Sequence, residues 1–395
     1  MPADRATDSR FMREALALAE SALGLTTPNP AVGCVLVRGG RVVGRGVTAR
    51  GGRPHAETIA LRRAGARARG ATAYVSFEPC AHRGQTPPCA EALAVAGVAR
   101  VVVGCLDPYP PVRGRGLAIL RRAGIKVTSG VLEDECRRLN EGFITRVTRR
   151  RPFVLLKLAM SLDGRIATAS GDSKWISSEP ARQIVHRWRR ECDAVMVGAG
   201  TVLADDPRLT CRMRGGRDPV RVIIDAALRT PFDARVFSER SSAGAILVTT
   251  AANLAHDPQP TLISALQNVP QRHPGALIEL LAAPTLGAGE LDLAALMREF
   301  GRRGWCKVMI EGGAHLAASA LSAGIVDRVA FFVAPKIIGS GLPAVQDLSG
   351  LSSTGPGFAK VRDAIALADF TAERVGDDWL LQARPVVRRA RAARK

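Results

Sequence analysis

The chain has 395 residues, 47% hydrophobic and 23% charged, the composition of an ordinary globular protein with enough length for two domains. Lys and Arg number 56 against 36 Asp and Glu, a formal charge of +20, yet only seven of those cations are Lys and aromatic residues make up 4%. The arginines are spread along the chain and stacking platforms are few, so nucleic acid is not the expected partner. No run of about 18 apolar residues is present to span a bilayer. The opening MPADRATDSR lacks the apolar core of a secretory signal, so a cytoplasmic location is expected. Eight cysteines are too few for a disulfide scaffold.

Phe11, Ala15, Leu18 and Ala22 recur at helical spacing and predict a first helix. AVGCVLVRGGRVVGRGV then reads as two strands turning at Gly39-Gly40. A helix from about His55, the strand ATAYVSF, a helix near Pro88 to Ala96 and the strand ARVVVGC follow. The helix GLAILRRAG and the strand IKVTSGV complete the series. Such alternation predicts a sheet with helices on both faces. NEGFITRVTRRRP, a charge run ending at Pro152, reads as a linker, which sets a first domain at 1–147 and a second at 152–382.

In the second domain FVLLKLAMSLDG, DAVMVGAG, VRVIIDAAL, GAILVTTAA, CKVMIEGG and RVAFFVAPKIIG read as strands. EPARQIVHRWRREC and LAALMREFGRRG read as helices, and TVLADDPRLTCR as a loop after a strand. The halves share no repeat, so two different α/β domains are expected. Residues 383–395 read as a disordered basic tail.

EPCAHRGQTPPCAE, residues 78–91, sets two thiols about a proline-rich loop. Cys80 falls at the end of a strand, Cys89 at the start of a helix after Pro87-Pro88, and His55 at the start of another helix. One His and two Cys give zinc three ligands and leave a fourth position for water, the arrangement of a catalytic site. Glu57, two residues past His55, is free to stand beside that position and carry protons. This is the general zinc-deaminase pattern, although eight residues rather than two separate the cysteines. Other readings are a closed structural site with His82 as fourth ligand, a Cys80–Cys89 disulfide, or a zinc-stabilised binding module. His82 otherwise reads as a substrate contact or a packing residue of the loop.

TTPNPAVGCVLV, PHAETIAL, EPCAHRGQTPPC and NEGF together resemble the bifunctional riboflavin-biosynthesis family. Its two halves are a deaminase and a reductase of ribosylaminopyrimidine phosphates, and the long loop between the cysteines is a family feature. The resemblance implies an N-terminal cytidine-deaminase-like three-layer α/β domain, with His55, Cys80 and Cys89 on zinc and Glu57 as proton shuttle. Asn29, in TPNP, resembles the residue that contacts the pyrimidine. DPYPPVRGRG departs from the family's run at Tyr109 and Arg113 while keeping Asp107 and Arg115, in a place expected near the ribose phosphate.

Read alone, IEGGAHLAASAL offers two glycines between a strand and a helix, suited to a phosphate or to a plain tight turn. KLAMSLDGRIA, WISS, TVLADDP and EGG resemble the reductase half of the same family, which has a dihydrofolate-reductase-like fold and uses NADPH to convert a ribosyl group to ribityl. By that resemblance Ala159, Trp175, Thr201, Asp205 and the run Gly313, Ala314, His315, Leu316, Ala317, Ala318 and Ser319 line the NADP site. Ser173, Arg189, Leu209, Arg212 and Glu311 hold the substrate. Lys157 and Asp205 are the expected catalytic polar groups at the sugar, with Asp206 able to exchange with Asp205, whereas His186 is expected to pack or face solvent. A homo-oligomer is expected by analogy. The competing reading is a nucleic-acid base deaminase with a basic appended domain, which would need a strand-binding groove and more aromatic residues.

Overall fold

Gly39 and Gly40, both at positive φ, close a hairpin between β1 (Gly33–Arg38) and β2 (Arg41–Val47). This computed structural model describes residues 5–386 except 83–86, 111, 239–240, 242, 256–276, 287–288, 347, 349–357 and 359. β1 pairs antiparallel with β3 (Thr72–Phe77), and β4 (Arg100–Cys105) and β5 (Lys126–Ser129) extend the sheet in parallel, giving the order β2-β1-β3-β4-β5. Helix α1 (Arg5–Ser21) packs on β1 and α2 (Ala56–Ala64) on β2. Glycines permit both approaches: a Cβ on Gly33 would collide with the carbonyl of Ala15, and one on Gly46 with that of Ala56. Helices α3 (Cys89–Val95) and α4 (Arg115–Arg122) follow β3 and β4, and the core runs through Met12, Leu36, Val75, Phe77, Leu93 and Val102.

The expected linker is instead helical. α5 (Glu133–Leu139) leads into α6 (Glu141–Arg149), which buries Gly142 and Thr145. Between them Asn140 is buried and clamps the backbone of Ala31: its Nδ2 donates to the Ala31 carbonyl at 3.0 Å, and its Oδ1 accepts the Ala31 N–H at 2.9 Å. The arginines that suggested a linker sit at the end of α6.

The chain divides at Pro152 into two compact units, one running to Pro152 and including Gly304–Cys306, the other made of Phe153–Arg303 and the described residues from Lys307 on. The second unit holds β6 (Phe153–Ser161), β7 (Arg165–Thr168), α7 (Glu179–Glu191), β8 (Ala194–Gly198) and α8 (Ala199–Asp205). Next come β9 (Val220–Ile224), α9 (Arg235–Ser238), β10 (Ala245–Thr250), α10 (Ala251–Ala255) and β11 (Ile278–Ala283). Then α11 (Leu293–Arg302), β12 (Lys307–Glu311), α12 (Ala314–Ser322), β13 (Arg328–Ala334), β14 (Gly341–Pro343), β15 (Ala366–Val375) and β16 (Asp378–Val386) complete it. Nine of these strands form one sheet in the order β11-β10-β9-β8-β12-β6-β13-β16-β15, all in one direction except β16, which runs antiparallel to both its neighbours, while β7 and β14 pair separately.

Two expectations are corrected. Thr201 to Asp205, read as loop, belong to α8, because the chain leaving β8 turns at once into a helix as βα units do. β16 runs to Val386, so residues 383–386 are strand rather than tail: Ala383 pairs with Val329 of β13 and is buried. Residues 387–395 lie outside the described residues.

Candidate functional site

β3 ends at Phe77, so Glu78-Pro79-Cys80 leaves the carboxyl edge of the first sheet, facing the first residue of α3, Cys89. His55 is the N-cap of α2 and has extended backbone (φ −71°, ψ 159°), which brings its ring to the same place. The His55 Nδ1 lies 3.3 Å from the Cys89 Sγ and 3.6 Å from the Cys80 Sγ, and all three donor atoms fall within 4.8 Å of one another. Tetrahedral zinc, with sulfur at about 2.3 Å and nitrogen at about 2.0–2.1 Å, sets its ligands about 3.6 Å apart, so the trio fits that ion. Among the described residues this is the group of His, Cys and carboxylate side chains able to hold a metal; His82 is exposed and stands outside it. Both thiols are free rather than bridged.

One hydrogen bond couples the two thiols of the trio and drives them in opposite directions. Cys80 is held down to about 4, first by the hydrogen bond with Cys89, whose own thiol is pushed far up by the same bond. The Cys89 backbone N–H also donates to the Cys80 sulfur at 3.2 Å. Glu57, in the first turn of α2 and 3% exposed, is pushed up to about 7, first by burial and then by the charge on Cys80. A buried carboxyl next to three ligands that leave one coordination position open is equipped to move a proton.

The Asn29 carboxamide lies against Gly52, where a Cβ would collide with it, three residues before His55. The Asn29 backbone closes a turn, its N–H donating to the Thr26 carbonyl at 2.9 Å while its carbonyl accepts the Thr26 hydroxyl at 3.0 Å. Glu78 was not singled out by the sequence. Its buried carboxylate accepts three backbone N–H groups, from Asp107, Gly114 and Gly116. Asp107 is itself buried and pushed up to about 6, chiefly by burial, while its carboxylate accepts the Tyr109 N–H at 2.8 Å. Tyr109, Arg113 and Arg115 are exposed.

In the second unit, the carboxyl ends of β6, β12, β8 and β9 open on a cleft of about 1980 Å³. That is the edge at which parallel α/β sheets bind ligands. Lys157, Ala159, Ser173, Trp175, Arg189, Thr201, Asp205, Leu209, Arg212 and Glu311 all line it, as do Gly313, Ala314, His315, Leu316 and Ser319. Ala317 and Ala318 do not. They are buried on the inner side of α12, since successive helical residues turn by about 100° and a contiguous run cannot all face one cleft.

Glu311, at the end of β12, is gripped by Arg189 of α7 through Nε at 2.6 Å and Nη2 at 2.8 Å, and the same guanidinium donates to the Thr210 carbonyl at 3.0 Å. Burial alone would push Glu311 up, but the charges of Arg189 and Lys157 outweigh it and hold the carboxyl below its usual value. Lys157 is lowered, first by burial, with Glu311 opposing. Of the two adjacent acids, Asp205 faces the cleft and accepts the Ser173 hydroxyl at 2.8 Å. Asp206 instead anchors α9, accepting the Arg235 backbone N–H and its Nε, each at 2.8 Å. His186 lines the cleft rather than solvent: its Nδ1 accepts the Arg212 N–H at 3.4 Å, and it is lowered by burial and then by Arg189.

At the far side of the cleft Gly312 and Gly313 take φ of 70° and 82° between β12 and α12. A Cβ on Gly313 would come within 3.1 Å of the Thr201 hydroxyl, so only glycine gives this turn its shape and room. Trp175 is 62% exposed, with the Arg182 guanidinium 4.6 Å from its ring centroid and its carbonyl accepting the Lys336 ammonium at 2.6 Å. Arg182 and Lys336 carry no sequence signal for this task. Only the fold brings them to Trp175.

Comparisons with known proteins agree with this geometry. A family model of the cytidine and deoxycytidylate deaminase zinc-binding region matches residues 5–105, and one of the RibD C-terminal domain matches residues 152–381. The chain is 41% identical over 374 residues to the riboflavin biosynthesis protein RibD of Synechocystis sp., covering 95% of each. It is 40% identical over 387 residues to RibD of Escherichia coli, covering 95% of this chain and 98% of that one. The solved structure of Acinetobacter baumannii RibD superposes with a TM-score of 0.80 at 35% identity, covering 97% of this chain and 100% of that one. The structure of a diaminohydroxyphosphoribosylaminopyrimidine deaminase/5-amino-6-(5-phosphoribosylamino)uracil reductase from Thermotoga maritima gives 0.79 at 36% identity, covering 97% and 99%. With its zinc-deaminase motifs and its reductase cleft carried on one chain at this level of identity over nearly its whole length, the chain belongs to the RibD family of riboflavin biosynthesis proteins.

Proposed function

We propose that the chain catalyses two consecutive steps of riboflavin biosynthesis. The first half removes an exocyclic amine hydrolytically from 2,5-diamino-6-ribosylamino-4-pyrimidinone 5′-phosphate. The second half reduces the ribosyl group of the resulting uracil to ribityl with NADPH. The observation that carries the reading is the donor trio His55, Cys80 and Cys89 with buried Glu57 beside it, in a RibD chain.

His55, Cys80 and Cys89 hold zinc, which when bound supplies a Lewis acid that makes water nucleophilic near neutral pH. Glu57 takes up the proton released by the attacking water on a carboxylate oxygen and delivers it to the departing amine. Asn29, fixed against Gly52, orients the pyrimidine by hydrogen bonds from its carboxamide.

In the reductase half the glycine turn before α12, with the Thr201 hydroxyl above it, fits a dinucleotide phosphate, and Ala159, Trp175 and Asp205 border the same space. NADPH, when bound, supplies the hydride. Arg189, Glu311, Ser173, Leu209 and Arg212 hold the phosphorylated sugar, and Lys157 and Asp205 exchange the protons that open its ring to an imine able to accept hydride at C1′. Zinc-loaded protein given the diaminopyrimidine phosphate should yield a product about 1 mass unit heavier, and a further 2 or so heavier with NADPH present. Absence of the first change from fully zinc-loaded protein would sink the reading of the first half.

The reading includes a cytoplasmic location, supported by thiols grouped as metal ligands rather than bridged. No helix among the described residues is long and apolar enough to cross a membrane. It also includes a homo-oligomer. β15 is the edge of the nine-stranded sheet, and the β15–β16 hairpin exposes Leu367, Phe370 and Trp379 at 47%, 58% and 50%. An open strand edge of this length, on a hairpin that also exposes large apolar side chains, invites a second copy of the chain. Sedimentation should therefore give twice the monomer mass or more for the native chain, and a lower mass for the Phe370→Glu/Trp379→Glu variant. A monomeric native chain would remove this part of the proposal.

A further inference from the structure

Glu78 plays no part in the steps above, yet its carboxylate is 4% exposed and fully engaged. One oxygen accepts the N–H of Asp107 at 3.2 Å and that of Gly114 at 3.0 Å, and the other accepts the N–H of Gly116 at 3.1 Å. The three donors lie at the two ends of one loop, between β4 and the first turn of α4, while the acceptor stands two residues before Cys80. The fit is close: a Cβ on Gly116 would collide with the Pro79 carbonyl. A carboxylate receiving three N–H groups is a strong charge-assisted clamp, and without them its burial would be costly.

The place of the loop gives this clamp a use. β3 and β4 pair in parallel with Phe77 opposite Cys105, so the loop leaves the same sheet edge as Cys80. Asp107, its second residue, lies close enough to Cys80 and His82 to feel their charges. The loop and the start of α4 expose Arg113 and Arg115, and neither guanidinium has a hydrogen-bond or ion-pair partner among the described residues. Unpartnered guanidiniums beside a site for a sugar-phosphate substrate match the chemistry of the phosphate, whose oxygens they bind with planar, paired donors.

We propose that Glu78 is a positioning residue of the deaminase half, fixing this loop so that Arg113 and Arg115 receive the substrate's phosphate. The proposal rests on the deaminase reading above. Glu78→Gln keeps the size of the side chain but turns an NH2 toward N–H donors, so at least one of the three bonds is lost. The test compares kcat and KM for the phosphorylated pyrimidine and its dephosphorylated form, in native and variant protein of measured zinc content.

The expected result is that kcat/KM for the phosphorylated substrate falls about tenfold more than for the dephosphorylated one, with the loss in KM. An equal fall for both substrates, or none, overturns the proposal. Should Glu78→Gln not fold, Arg113→Ala/Arg115→Ala decides: kcat/KM is again expected to fall about tenfold more for the phosphorylated substrate, and an equal fall for both, or none, overturns the proposal. A zinc-loaded native protein that deaminates neither substrate would instead sink the deaminase reading, and this proposal with it.

Discussion

Glu57→Gln is expected to lower deamination about a thousandfold while zinc content and NADPH-dependent reduction stay as they were. The substitution is nearly isosteric at a position that is 3% exposed, so the packing of α2 on β2 has no reason to change. The donor trio does not include Glu57, so the site should bind its metal with unchanged stoichiometry. What disappears is the capacity to accept one proton and release it elsewhere, since a carboxamide is neither a base nor an acid near neutral pH. Zinc analysis alongside the rate separates the alternatives. A variant that keeps its zinc and more than a tenth of its rate would place the proton transfer on another group. A variant that loses its zinc would make Glu57 part of the metal site itself.

The residues of this first site were legible because ligand chemistry is local in type and spacing. His-x-Glu at a helix start and Pro-Cys after a strand declare themselves without the fold. The long separation of Cys80 and Cys89 does not obscure them, since strand end and helix start meet across the loop. Glu78 was not legible, because a carboxylate that accepts backbone N–H groups from residues 29 to 38 positions later has no partner side chain to pair with in the sequence. Asn140 was misread for the same reason: its partner is the backbone of Ala31, and the basic residues after it looked like a linker.

The second half shows a different limit. Its buried parallel strands, such as β8 and β10, are plain apolar runs and were found. β15, with nearly every residue exposed, has no apolar face for a pattern to reveal, and it was missed. The pairing of Arg189 rather than Arg187 or Arg190 with Glu311 depends on how α7 is rotated against β12, which only packing decides.

Arg189→Ala is expected to cost about 3–5 kcal/mol of stability, because it leaves the Glu311 carboxylate buried with its main partner gone. The side chains of the pair are 12% and 8% exposed, and two of the three guanidinium bonds run to Glu311 in the bidentate form that is hardest to replace. Lys157, the other cation that Glu311 feels, softens the loss without removing it.

The pH dependence gives the sign. In the native chain Glu311 is held below its ordinary value, so its contribution is complete above about pH 4.3 and is lost only as pH falls through the lower folded value. In the variant, burial dominates and pushes the carboxyl up, so protonation relieves the unpaired charge and the deficit shrinks as pH falls. A deficit that grew in acid would contradict this account.

Arg189→Met/Glu311→Leu separates fold from function. Replacing both charges by apolar groups of similar volume should return stability to within about 1 kcal/mol of native or better. Reduction should nevertheless stay at least a hundredfold below native, since the proposed function gives Arg189 the substrate's phosphate to pair and Glu311 a place beside it. If the doubly apolar chain is both stable and active, the pair is only a strut between α7 and β12. If it is stable and inactive, the charges are kept for the substrate and the fold tolerates them because they neutralise each other until it arrives.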